Sequence, residues 1–422
     1  VTKLKLHWQI LIAILLAVAA GTLGGTELEV AGVSALTVYD FVGTLFLNAL
    51  RMLIVPLIMS SIISGVAGLG SGQDLGRLGL RTAAYYLLSS LLAILLGLFV
   101  VNLVSPGVVG GRPAGEVLGL DQNTEAVLAE VEGRGAGDIA GLLLRMIPLN
   151  IVAAAAEGEM LGLIFFSILF GYFLNKVPEE LGSALARLAS GIFETMMRIT
   201  MWVMRFTPLG VFGLVAEEVA RTGFEAFRPL LAFFFTALVS LLVHALVTLP
   251  LLLRLLGRVS PWRHYRAMSP AMLTAFSTAS SSATLPLTME CVEKNAGVSS
   301  RVTSFVLPLG ATVNMDGTAL YECVAAVFLA QAYGLELGFG EQFTIVFVAL
   351  VTSIGVAGIP AASLVAITII LSAIGLPVEA VGLILVTDRI LDMVRTSVNV
   401  FSDSCGAVII GRFEGETGIL AP

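Results

Sequence analysis

The stretch Asp388-Arg389-Ile390-Leu391-Asp392-Met393-Val394-Arg395-Thr396-Ser397-Val398-Asn399-Val400-Phe401-Ser402-Asp403 decides how the rest of the chain is read. At about 100° per residue, Asp388, Asp392, Arg395, Asn399 and Asp403 fall at about 0°, 40°, −20°, 20° and 60°, so one helix face carries all five. Most of what surrounds them is apolar. Charged groups inside a membrane helix cost about 2.5–3.5 kcal/mol each on insertion scales, so they face a cavity or one another. The bland alternative is an internal ion-pair network that only positions helices.

Composition supports the membrane reading. Of 422 residues, 57% are hydrophobic and only 13% charged, with a mean hydropathy of +0.97. No Asp, Glu, Lys or Arg occurs between Arg81 and Arg112, or between Arg228 and Arg254, and either gap can cross about 30 Å of hydrocarbon. The net charge of −7 reflects loop residues, and nucleic-acid binding, which wants a basic surface, is excluded. Cys291, Cys323 and Cys405 match neither a zinc site nor a disulfide framework and read as buried free thiols. The apolar run after Val1–Trp8 reads as a first membrane helix, not a cleaved leader.

Apolar segments near 8–25, 40–68, 82–104, 139–175, 184–219 and 225–257 give six spans. Lys3, Lys5, Arg77, Arg81, Lys176, Arg187, Arg254, Arg258, Arg263 and Arg266 then fall on one side, and Arg112, Arg134, Arg221 and Arg228 on the other. The more basic side, with the N-terminus, is expected in the cytoplasm. Residues 105–138, rich in acidic residues and glycine, read as an external loop.

Past residue 265 the pattern changes. Three small or polar clusters interrupt the apolar sequence: Ser277–Thr284, Asn314–Thr318 and Ser353–Pro360. Backbone leaves the helix at membrane depth only where protein or a water-filled cavity surrounds it, so these clusters predict re-entrant hairpin tips and an unwound helix. The order hairpin, broken helix, hairpin, helix suggests one unit used twice in opposite orientation, with a binding site where the copies meet.

The stripe carries its own chemistry. Arg395 offers a planar fork for a carboxylate, and Asp392 accepts from an ammonium group. Those are the two ends of an acidic amino acid. Asn399 and Thr396 can hold the α-carboxylate, helped by backbone N–H groups at the hairpin tips. Arg389, about 100° off the stripe, is expected to pair locally or snorkel. Asp316, Asp388, Asp392 and Asp403 face only Arg395, so three negative charges stay uncompensated and cations have to enter with an acidic substrate. No lysine or histidine is expected near these motifs, and the oxygen-rich clusters suit a hard cation such as sodium.

The strings Ser280-Ser281-Ser282-Ala283-Thr284-Leu285-Pro286, Asn314-Met315-Asp316-Gly317-Thr318 and Asp392-Met393-Val394-Arg395-Thr396-Ser397-Val398-Asn399 closely resemble the dicarboxylate/amino acid:cation symporter family. The likeness runs from Tyr85-Tyr86 through Pro148-Leu149-Asn150 to Asp403. It implies an all-α integral membrane protein with eight transmembrane helices, two re-entrant helical hairpins, inverted repeats and an elevator-type movement. The assembly implied is a homotrimer in the lipid of a plasma membrane, with both termini cytoplasmic. The scaffold would comprise 1–81 and 139–220, and the transport domain 82–104 and 221–422.

By the same resemblance, Ala279, Ser280, Ser281, Thr318, Gly358, Ile359, Asp392, Arg395, Thr396 and Asn399 form the substrate site. Retention of Arg395 favours aspartate or glutamate, since relatives that carry neutral amino acids replace it. One sodium ion would take Tyr86, Ser89, Ser90, Asn314 and Asp316. A second would take Gly310, Asn399 and Asp403 with the backbone of Asn314, and a third Thr312, Met315, Ser353, Ile354 and Val356. Ser89 keeps the hydroxyl of the archaeal threonine. Glu322 matches the protonatable glutamate of the animal transporters, which implies proton cotransport and potassium countertransport. A neutral Glu322 held by local hydrogen bonds is the alternative. Ala279 and Met393 stand where archaeal and animal relatives, respectively, carry an arginine, a departure that bears on the accessory ion cycle.

Other classes fit less well. An intramembrane protease would use serine and histidine, but His244 lies in a plain apolar span, His7 and His264 near membrane edges, and no nucleophile context surrounds them. No phosphate-binding glycine loop with lysine supports ATP-driven transport. An anion channel and a proton-coupled glutamate or C4-dicarboxylate carrier are the alternatives to sodium symport.

Overall fold

The computed structural model describes residues 6–26, 28–30, 32–67, 73–116, 118, 144, 146–157, 160–222, 227–353, 362–377 and 380–420. These residues are mostly helical, with apolar helices throughout. The first half holds α1 (Leu6–Gly24), α2 (Ala35–Arg51), α3 (Ile54–Ala67) and α4 (Gln73–Val104). It continues with α5 (Ile151–Glu157), α6 (Met160–Leu174), α7 (Glu179–Val203) and α8 (Thr207–Thr222). Two short antiparallel ladders, Glu29–Val30 with Val33–Ser34 and Val108–Val109 with Arg112–Pro113, are the strands among the described residues. Most of the loop expected over 105–138 lies outside them.

Several of the expected spans are broken, among them 139–175, which divides between α5 and α6. The 40–68 segment divides between α2 and α3, and Pro56 occupies the first turn of α3, where a missing N–H costs nothing. The 184–219 segment bends by 55° between α7 and α8, across the tight turn Met204–Phe206. Pro208 follows that turn and cannot donate to a continuous helical ladder. Among the described residues, Arg77–Val104, Arg228–Gly257 and Ser300–Ala332 are long and apolar enough to cross a membrane. A fourth span counts if α7 and α8 are one.

The second half positions the site. Helix α9 (Phe227–Val243) passes through a π-turn (His244–Thr248), the short α10 (Leu249–Leu252) and a second π-turn (Leu253–Gly257). Then α11 (Pro261–Thr278) and α12 (Ser281–Glu290) pack together as a helical hairpin. Helices α13 (Ser300–Val313) and α14 (Asp316–Ala332) are separated by non-helical backbone at Asn314 and Met315, of which Asn314 is extended. Helices α15 (Phe339–Ser353) and α16 (Ala362–Ile374) pack as a second pair, and α17 (Val381–Phe413) closes the fold. Its 33 residues reach about 50 Å at 1.5 Å per residue.

Helix α14 is the axis of this half. All but one of its residues are buried, and α4, α9, α15, α16 and α17 surround it. A helix apolar on every side belongs at the centre of a bundle. The largest core runs through α4 and α9–α17, reaching Ile62, Leu163 and Ile164, whereas Ala17, Val211, Val215, Ala216 and Val219 form a separate cluster between α1 and α8. Leu95, Phe99 and Leu103 on α4 and Leu231, Phe235, Val239 and Leu246 on the α9 rod stay exposed, an outward apolar surface suited to lipid. All three cysteines are buried and free.

Candidate functional site

Helix α17 presents its stripe to α14. Arg395, 1% exposed, donates from Nη1 to Asp388 Oδ1 at 2.9 Å and from Nη2 to Asp392 Oδ1 at 3.0 Å. Its guanidinium carbon lies 4.0 Å from the centre of the Tyr321 ring, an attractive cation–π contact. Arg395 Nε is buried without a hydrogen-bond partner among the described residues. Arg389, placed off the stripe by its angle, reaches back to Asp392 Oδ2 at 3.4 Å, so it pairs locally. Two carboxylates and two guanidiniums therefore balance, and Nε of each arginine has no hydrogen-bond partner among the described residues.

One turn on, Asn399 joins the two helices. Its Oδ1 accepts from Gly317 N at 2.8 Å and its Nδ2 donates to Thr318 Oγ1 at 3.0 Å. Glycine is required at 317, since a Cβ there would lie 2.9 Å from the Arg395 carbonyl oxygen. Thr396 turns its hydroxyl to the Asp392 carbonyl at 2.8 Å. At the tip of the first hairpin, Ala279 adopts left-handed backbone (φ +50°), and Ser280 caps α12 by accepting from Ala283 N at 3.2 Å. Ser281 is buried beside them. Gly358 and Ile359 lie outside the described residues.

A second centre forms around Asp316, where the chain re-enters helix after the break. Asp316 Oδ1 accepts from Ser90 Oγ at 2.7 Å and lies 3.2 Å from Ser89 Oγ. Oδ2 accepts from Ser402 Oγ at 2.6 Å and has His244 Nε2 at 3.2 Å. Asn314 Nδ2 donates to Asp403 Oδ1 at 2.9 Å and sits 3.0 Å from Ser402 Oγ. Tyr86 donates to the Val306 carbonyl at 2.8 Å. A Cβ on Gly310 would fall 2.5 Å from both Asp403 Oδ1 and the Tyr86 hydroxyl oxygen, so only glycine lets α13 approach this closely.

Two sequence expectations change here. A histidine does lie at these motifs: His244, fully buried, is in contact with Asp316, and its span is not plain but carries a π-turn that starts at His244. Only the fold brings it there, across 72 residues. His264 is likewise buried, with Nε2 2.9 Å from Ser404 Oγ. Ser402 was missed as well, although it falls at about −40° on the same helical wheel, beside Arg395.

The remaining residues divide. Glu322 lies on the uninterrupted α14 and turns from the stripe toward α15, where Thr352 Oγ1 stands 3.0 Å from Oε2; Oε1 has no partner among the described residues. Of the third expected ion set, Met315 and Ser353 are buried, with the Ser353 hydroxyl donating to the Leu350 carbonyl at 2.8 Å. Thr312 belongs to α13, but its side chain lies outside the described residues, as do Ile354 and Val356. Most of that set therefore lies outside the described residues.

Apolar helices closing on buried charge beside a helix break fit a membrane transporter. The family model described as "Sodium:dicarboxylate symporter family" matches residues 6–413. The chain is 36% identical over 417 residues to the "Proton/glutamate-aspartate symporter" of Escherichia coli (strain K12), covering 98% of this chain and 93% of that one. It is 36% identical over 461 residues to "Excitatory amino acid transporter 3" of Homo sapiens, covering 97% and 86%. With the "Proton/sodium-glutamate symport protein" of Geobacillus stearothermophilus it shares 33% over 414 residues, covering 98% and 96%. The chain belongs to the sodium:dicarboxylate symporter family.

Proposed function

We propose that this chain is a secondary active transporter that takes up glutamate or aspartate by sodium symport. The observation that carries this reading is Arg395, buried between Asp388 and Asp392 with Nε unpaired among the described residues. A buried donor of this kind costs free energy until a ligand satisfies it. A substrate side-chain carboxylate meets Arg395, its ammonium group meets Asp392, and its α-carboxylate meets Asn399 and Thr396. Ala279, Ser280, Ser281 and Thr318, with the backbone of Gly358 and Ile359, complete the enclosure.

Sodium belongs with the remaining carboxylates. Tyr86, Ser89, Ser90, Asn314 and Asp316 supply oxygens for one ion. Gly310, Asn399 and Asp403 serve a second, and Thr312, Met315, Ser353, Ile354 and Val356 a third. The hydroxyls that now donate to Asp316 present lone pairs once a cation takes their place.

Eight membrane helices and two re-entrant hairpins, built as inverted repeats, fit a homotrimer in the plasma membrane with cytoplasmic termini. The transport domain, 82–104 and 221–422, moves like an elevator against the scaffold, 1–81 and 139–220. In support, α4 and α9–α17 share most of one core, while α1 packs with α8 in another.

A proton-coupled second reading rests on Glu322, whose buried Oε1 has no partner among the described residues. The names of the two bacterial relatives include a proton. Potassium countertransport would use the same residue. Uptake into proteoliposomes separates these cases: accumulation driven by an inward sodium gradient at fixed pH is expected. Accumulation indifferent to sodium and driven by a proton gradient would favour the second reading, and flux that never exceeds equilibrium would indicate a channel.

A further inference from the structure

We propose that Tyr265 is a positioning residue for the Asp316 centre, because its phenol holds the π-turn that aims His244 at Asp316. The inference rests on the cation reading of that centre and deepens it.

Pro250 is where the local structure starts. In an α-register the Leu249 amide would bond the Ala245 carbonyl, but here it goes to the His244 carbonyl, five residues back. The amide that a π-register would then give Ala245 is that of residue 250, a proline, which has none. Ala245 is buried, so its carbonyl needs another donor. Tyr265, arriving from α11, supplies it: the phenol donates to the Ala245 carbonyl.

The same side chain touches the other wall of the centre. The Tyr265 ring stacks on Phe401 of α17 at 4.3 Å between centroids and 11° between planes. Phe401 precedes Ser402. The two groups at Asp316 Oδ2 are His244 and Ser402, and Tyr265 braces the segment that carries each. Removing the hydroxyl alone leaves the stack and orphans the Ala245 carbonyl. The relief open to the helix is to return the Leu249 amide to Ala245, which closes the π-turn and rotates His244 away from Asp316.

The test is sodium-dependent uptake by the full chain in proteoliposomes, for wild type, Tyr265→Phe, His244→Ala and the double variant. Tyr265→Phe is expected to raise the half-saturating sodium concentration roughly fivefold to tenfold, the scale of one lost buried hydrogen bond. Half-saturation by substrate at saturating sodium stays at the wild-type value. His244→Ala is expected to do the same, with no further rise in the double variant. A Tyr265→Phe sodium curve that coincides with wild type, or single effects that multiply in full, would overturn the proposal. If wild-type uptake ignores sodium, the cation reading fails separately, and a structure of Tyr265→Phe by electron cryomicroscopy decides the positioning claim. There the Leu249 amide is expected on the Ala245 carbonyl, and a retained π-turn with His244 on Asp316 refutes it.

Discussion

Replacing Arg395 by alanine tests the substrate assignment most directly, provided two effects are kept apart. The first is recognition. Because Nη1 and Nη2 already hold Asp388 and Asp392, a substrate carboxylate gains only the difference between its own contacts and those it displaces. Hydrogen bonds to charged groups contribute about 1.5–3 kcal/mol each, so a fork partly repaid leaves about 2–4 kcal/mol. At about 1.4 kcal/mol per tenfold, half-saturation by glutamate or aspartate rises roughly 30- to 700-fold. The second effect is stability: alanine strands Asp388 and leaves Asp392 only Arg389, and breaking a buried pair costs about 3–5 kcal/mol. Adding Asp388→Asn removes one stranded charge. The double variant Asp388→Asn/Arg395→Ala is therefore expected to recover melting temperature without recovering acidic-substrate affinity. Competition uptake with the corresponding amides, alongside thermal unfolding in detergent, reads both effects. A folded Arg395→Ala variant that keeps wild-type half-saturation for acidic substrates would sink the assignment.

Gly310→Ala drives a methyl group to 2.5 Å from Asp403 Oδ1 and the Tyr86 hydroxyl, an overpacking that costs about 1–3 kcal/mol. A lower melting temperature and a higher sodium requirement are expected, and unchanged sodium titration of uptake would remove Asp403 from the ion site. Glu322→Gln keeps an amide oxygen for Thr352 but has no proton to lose. Sodium-driven uptake should persist while substrate-linked proton entry, followed with an internal pH dye, disappears. If internal potassium accelerates net uptake neither in wild type nor in Glu322→Gln, countertransport is excluded. Asp316→Asn retains acceptors for Ser90 and Ser402 on one side only. It should raise the sodium requirement at least tenfold on the scale of one lost charged partner, and a wild-type sodium titration would count against this centre.

How legible each element was depended on whether its signal was periodic. The stripe on α17 follows the helical repeat, and the break at Asn314–Met315 is announced by polar residues in an apolar run. The buried pairing of Arg395 with Asp388 and Asp392 follows from the same angles. His244 has no such signal: it is a lone polar residue in a hydrophobic span, at the start of a π-turn that runs up to Pro250. A proline in a helix announces a disturbed ladder, but the disposition of the freed carbonyl depends on Tyr265 from another helix. The turn of Glu322 toward Thr352 was hidden for a related reason. Helix α14 is buried on nearly every face, so its sequence does not tell one neighbour from another.

The crossing of α14 and α17 explains how two polar centres can act as one. Asp316 ends the helix break, and the next residue, Gly317, gives its amide to Asn399. Asn399 also donates to Thr318, one turn of α17 beyond Arg395. Between the Asp316 centre and the Arg395 centre there is thus one amide side chain and no compressible filler, since Gly317 lies against the Arg395 backbone. A cation that draws Asp316 and Asn314 toward itself has to move the Gly317 amide, and Asn399 follows or loses its bond. An acidic substrate at Arg395 and a coupling ion at Asp316 would then influence each other through Asn399. Asn399→Ala would break that joint. Substrate half-saturation would then lose its dependence on sodium concentration, and a dependence as steep as wild type would show that the coupling runs elsewhere.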